Sequence, residues 1–117
     1  MKYLMMIKHA EGQSGAIPQP LLDAMGEFVT ESMKSGKLKD TAGLRPTSEG
    51  FRIRSKGKRL TTTDGPFTET KEVVGGYALV EVGSREEAMT LARQFMELHR
   101  VHWPEFECEC EIRPLES

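Results

Sequence analysis

The chain is poor in the residues that usually announce a chemistry. Its 117 residues include two cysteines, three histidines and one tryptophan, and aromatics make up 7%. The cysteines, Cys108 and Cys110, sit two apart. On an extended strand they share a face but make poor disulfide partners. Alone they are at most half a metal site; His99 and His102 upstream would complete a His/His/Cys/Cys cluster, yet the spacing matches no standard zinc pattern. They read as buried structural thiols, and neither a metal nor a cofactor is expected. Net charge is only −2, so no global field favours nucleic acid or an anionic membrane. Long apolar runs are missing too. The opening stretch, residues 1–8, has a short apolar core that runs into His9 and Glu11, too short for a secretory h-region or a membrane span. It reads as a strand, and a cytoplasmic protein without a membrane partner is expected. The P-loop, the dinucleotide glycine pattern, the nucleophile elbow and His-Glu-x-x-His are all lacking. Gly75-Gly76 has no strand-then-helix context for phosphate binding.

What is present is an ordinary balance of 38% hydrophobic and 29% charged residues. The length suits one domain, 1–117. Residues 2–8 are apolar on both faces: Tyr3, Met5 and Ile7 against Leu4 and Met6. Pro18 and Pro20 precede a helical pattern to Ser35, with Leu22, Met25, Val29 and Met33 in a stripe and Leu21 and Phe28 beside it. Gly36 and the cations Lys34 and Lys37 close it. A second strand is expected over 38–47. A hairpin follows, with Phe51–Arg54 alternating and Ser55–Lys58 turning. Residues 77–82 form a strong strand. Ser84 and Glu87 match a capping box before a helix carrying Ala88, Leu91, Ala92, Phe95 and Leu98. The tail 107–113 alternates as a last strand.

This order is βαβ, an inserted hairpin, then βαβ. It predicts an α+β domain of ferredoxin-like type with both helices on one face of an antiparallel sheet. The strands at 3–7 and 77–82 are apolar on both sides, so the uncovered face would expose a patch that usually marks an interface. Face-to-face packing of two sheets in a homodimer is the simplest remedy.

The most specific stretch is Thr63-Asp64-Gly65-Pro66-Phe67-Thr68-Glu69-Thr70-Lys71-Glu72, followed by Gly75-Gly76-Tyr77. Pro66 suits a turn, Gly65 tolerates the conformation a following proline imposes, and Asp64 can cap the turn. Turn chemistry alone leaves Glu69, Lys71 and Glu72 unexplained. The stretch strongly resembles the signature of the DGPF branch of the YCII-related proteins. The opening Met-Lys-Tyr-Leu-Met-Met-Ile, Gly43–Pro46 and Glu111–Pro114 are compatible with it. The resemblance implies a dimeric α/β barrel, in which ferredoxin-like subunits pair through their sheets. In the wider group a histidine near the start of the first helix and a late aspartate are proposed as an acid–base pair. Here Met25 stands about where that histidine would fall, and no Asp-Pro-Tyr-like segment follows the second helix, so the pair does not carry over.

The remaining candidates are local. His9 ends the first strand, where a histidine can serve as a base near neutral pH or simply face solvent. Asp64 could act with it as a catalytic residue, or only cap its turn. Lys71 and Glu72 could bind a ligand, or form a solvated ion pair. His99, with His102 and Trp103, either suits the helix dipole or faces a ligand. The basic hairpin, Arg52 to Arg59, lacks exposed aromatics on its charged face for stacking bases, and nucleic acid is not expected. The resemblance implies two alternative functions. One is a cofactor-free lyase or isomerase acting on an unknown small molecule between sheet and helices. The other is a non-catalytic ligand-binding or regulatory module linked to sigma-factor-controlled transcription.

Overall fold

The computed structural model describes residues 1–13 and 15–116. Its elements are β1 (Lys2–His9), α1 (Gln19–Lys34), β2 (Leu38–Gly43), a 3-10 turn at Thr47–Glu49, β3 (Phe51–Lys56), β4 (Arg59–Asp64), β5 (Val73–Glu81), α2 (Arg85–His102) and β6 (Cys108–Pro114). Four strands form an antiparallel sheet in the order β2-β5-β1-β6, while β3 and β4 form a separate two-stranded sheet. The first of these is the ferredoxin-like order expected from the sequence.

Register sorts the two faces. Tyr3, Met5 and Ile7 pair with Val80, Ala78 and Gly76 on one side and with Pro114, Ile112 and Cys110 on the other. This face packs beneath the helices, and Tyr3, Met5, Leu38 and Val80 join Ala88, Leu91 and Ala92 in the core. The opposite face carries Leu4 and Met6 beside Leu79 and Tyr77, with Glu109, Glu111 and Arg113 along β6. The alternation of β6 therefore puts its wet side on the open face of the sheet, where Lys8 bridges to Glu111 at 3.1 Å.

The helix ends follow local chemistry. Ser84 accepts from the Glu87 N–H at 3.1 Å, and the Glu87 carboxylate accepts from the Gly83 N–H at 3.1 Å. This capping box reaches one residue further back than the usual one. At the end of α1 the Gly36 N–H donates to Met33 O and the Lys37 N–H to Ser32 O, with Gly36 at φ +78°. This is a Schellman closure.

Some boundaries differ from expectation. The inner stripe of α1 is Leu21, Met25, Phe28 and Ser32, whereas Leu22 and Met33 are exposed. The stripe is turned by one residue because a small serine, invisible to an apolar count, occupies the last inward position. Strand β2 stops at Gly43 and residues 47–49 coil into a 3-10 turn. The hairpin turn is only Gly57-Lys58, both at positive φ, the two-residue form that matches strand twist. Strand β5 begins at Val73 rather than 77, because Gly75 is absorbed as a bulge between the pairs Ile7–Gly76 and Lys8–Val74.

Candidate functional site

Between the sheet and the helices lies a cleft of about 690 Å³, bounded by Met5 and Ile7 of β1, Leu21 and Phe28 of α1, and Leu91 and Phe95 of α2. Its size is that of a small-ligand pocket. Among the described residues no Asp, Glu, Lys or Arg lines it. A charged ligand would find no counter-ion there, so the cleft suits an uncharged, mostly apolar molecule.

Two histidines interrupt the apolar wall. His9 arrives from the end of β1 and His99 from the last turns of α2. The His9 Nδ1 lies 3.1 Å from Ala10 O, and the His99 Nδ1 lies 3.1 Å from Phe95 O. A carbonyl oxygen only accepts, so in the neutral rings Nδ1 carries the proton and Nε2 keeps its lone pair. His9 packs on Phe106 at a ring separation of 5.2 Å, and Phe106 stacks on Trp103 at 4.2 Å. Gln13 clamps this wall to the β1–α1 loop. Its amide accepts from the Glu107 N–H at 2.8 Å and donates to Glu107 O at 2.9 Å.

The glycines of β5 make room for this arrangement. A Cβ on Gly75 would meet His9 Nε2 at 2.5 Å, and one on Gly76 would meet Ala42 O at 3.1 Å. Cys110 also lines the cleft. Both cysteines are free. Burial raises the Cys108 thiol, and burial with the nearby Cys108 pushes Cys110 up to about 11. Neither is a ready nucleophile.

The signature stretch lies elsewhere. Phe67 is buried, with the Arg52 guanidinium 3.8 Å from its ring centre. Arg52 also donates to Glu69 at 2.8 Å and to Thr70 at 2.9 Å. A Cβ on Gly65 would fall 1.7 Å from Thr47 O. Thr47 in turn donates to Glu11 from its hydroxyl and, at 2.8 Å, from its backbone N–H. Those bonds, the hydroxyl's first, hold the Glu11 carboxyl below its usual range. The signature thus fastens the hairpin and the 3-10 turn to the β1–α1 loop.

The structure brings His9 and His99 to one cleft. It does not bring Asp64, Lys71 or Glu72 to the lining of that cleft; all three are exposed. The physical reason is that β4 continues through Asp64, which pairs with Phe51 and so belongs to the hairpin. Gln13 and Phe106 went unassigned at the site by sequence reasoning, and Trp103 entered it only as a neighbour of His99 and His102. Met25 lies on the cleft wall.

A protein of Rhizobium meliloti (strain 1021), named only as uncharacterised, is 38% identical over 61 residues, which is 52% of this chain and 49% of that protein. The chain thus matches about half the length of that relative. The family model of the YCII-related domain matches residues 1–97. The chain belongs to the YCII-related family.

Proposed function

We propose that the cleft binds a small, uncharged and largely apolar molecule, and that His9 acts on it as a general base in a cofactor-free lyase or isomerase reaction. The observation that carries this is the approach of the His9 Nδ1 to Ala10 O at 3.1 Å, which favours the Nδ1–H tautomer. Ala10 O holds the Nδ1 proton, leaving the Nε2 lone pair at the cleft wall. Such a lone pair accepts a proton from an acidic C–H or O–H, and after bond migration or cleavage the imidazolium returns it. His99 has the same tautomer, so its Nε2 accepts a hydrogen bond from a ligand hydroxyl or N–H and orients the ligand. Asp64, Lys71 and Glu72 have no part in this reading.

One observation favours a second reading, a ligand-binding or regulatory module without turnover. The partner of the His9 ring is a backbone carbonyl rather than a carboxylate, which stabilises an imidazolium less. A panel of phenols and β-dicarbonyl compounds, followed by NMR in deuterated water, separates the two. Binding with proton exchange that His9→Ala abolishes supports the base. Binding without exchange supports the module. Failure of any member to shift cleft resonances removes both.

The same reading takes the working unit as a homodimer joined through the open sheet faces. Leu4, Met6, Tyr77 and Leu79 form an apolar centre there, ringed by the Lys8–Glu111 and Lys39–Glu81 ion pairs. An apolar centre inside a polar rim is the usual anatomy of such a contact.

A further inference from the structure

The β3–β4 hairpin is built unlike the rest of the molecule. All twelve of its strand residues are exposed. Register places Phe51, Ile53, Leu60 and Thr62 on one face, and Arg52, Arg54, Lys56 and Arg59 on the other. The three large apolar side chains of the first face are 65%, 61% and 75% exposed. A two-stranded hairpin is marginal in water unless something covers one face, and nothing within the described chain covers this one.

The hairpin is nevertheless firmly rooted. Arg52 is held by Phe67, Glu69 and Thr70, and the Gly65 N–H donates to Gly50 O at 2.9 Å. It is a fixed projection, and it extends the whole chain. The radius of gyration is 16.0 Å, against about 13 Å for a compact domain of this length. The accessible area is 8516 Å², against about 6,400 Å² for a compact monomer of 13.2 kDa. The surplus of about 2,100 Å² exceeds the roughly 800 Å² per partner that a stable interface removes.

Charge complementarity favours a second copy as the partner. Residues 51–64 carry five cations and one carboxylate, so the remainder of this net −2 chain has six more carboxylates than cations. Among the described residues Arg54, Lys56, Lys58 and Arg59 form no ion pair, nor do Asp23, Glu27 and Glu31, which recur every four residues along α1. Basic arm and acidic body are complementary, but a rigid arm pointing away from its own body can satisfy that attraction only on another molecule.

We propose that the β3–β4 hairpin is an assembly arm whose Phe51–Ile53–Leu60 face is covered by a second copy of this chain. The arm uses residues separate from the open sheet face, so its contact stands or falls independently of sheet pairing. The test is the dimer dissociation constant, measured by sedimentation equilibrium on the full chain. Replacing Phe51, Ile53 and Leu60 together by Ser should weaken the dimer on the order of tenfold or more, with the circular dichroism spectrum retained. A second measurement avoids dependence on folding of that variant: p-benzoylphenylalanine in place of Leu60 should photo-crosslink two chains. A monomeric wild type, a triple variant that pairs as tightly as wild type, or a crosslinker that yields only single chains would overturn the arm. If Leu79→Asp disrupts the dimer while the triple variant leaves it intact, the sheet pairing survives and the arm does not.

Discussion

The His9 imidazole occupies the space that a side chain at Gly75 would need: a Cβ there would lie 2.5 Å from Nε2. One residue comes from the end of β1 and the other from the bulge of β5 that passes beside it. The glycine therefore specifies the orientation of the proposed base.

Gly75→Ala should force the His9 ring away from the bulge and break its bond to Ala10 O. Because Gly75 is not at positive φ, the penalty is steric rather than conformational, about 1 kcal/mol or more. Side-chain nitrogen correlations in NMR should show His9 losing its single tautomer, and affinity for a cleft ligand should fall about tenfold. An unchanged imidazole pattern would refute the coupling.

Phe67 and Asp64 separate structure from site within the signature. Phe67→Ala removes a buried ring that also seats Arg52, and should cost about 3 kcal/mol in denaturant unfolding. Asp64→Asn changes an exposed side chain on the hairpin and should stay within about 0.5 kcal/mol, with ligand binding intact. A loss of binding on Asp64→Asn would return the signature loop to the site.

Leu79→Asp places a charge at the centre of the open sheet face. Light scattering at micromolar concentration should show monomers, with the helical circular dichroism signal retained. A variant that remains dimeric would rule out pairing through this face.

Cys110 gives a pH dependence with a defined sign. Its thiol rises from an ordinary 9.0 to about 11 on folding, mainly through burial. The unfolded chain therefore loses this proton first. The associated stability is complete below about pH 9 and is lost as pH rises towards 11. The thiol is only partly enclosed, so the amplitude should be about 1 kcal/mol after allowance for solvent screening. Comparing wild type with Cys110→Ala across this range isolates it; parallel curves would contradict the shift.

The sheet was legible in the sequence because the apolar runs of β1 and β5 and the period-two alternation of β6 record burial directly. The second helix was equally plain, since Ser84 and Glu87 encode its start. What escaped was encoded in small or polar residues. Ser32 turned the face of α1 by one position, and Gly75 concealed the first residues of β5. His9 and His99 were visible as candidates, but only the packing of β1 against α2 brings them to one cleft. The charges of the signature loop suggested a site. Of these only Glu69 secures Arg52 and the hairpin; Lys71 and Glu72 are exposed and off the lining of the cleft.

The strand order also constrains how the chain is made. β1 is paired on both sides, to residues 73–81 and to residues 108–114. The amino group of Met1, just ahead of it, bonds to Val82 O across 81 positions, and Lys8 reaches Glu111 across 103. Large loops must therefore close before this strand acquires either neighbour. During synthesis β1 leaves the ribosome apolar on both faces and stays unpaired until β5 follows it. Its second edge is closed only when β6 has emerged. For that interval Tyr3–Ile7 is the segment most exposed to mispairing with another nascent chain, and flanking Lys2 and Lys8 are the charges placed to oppose it.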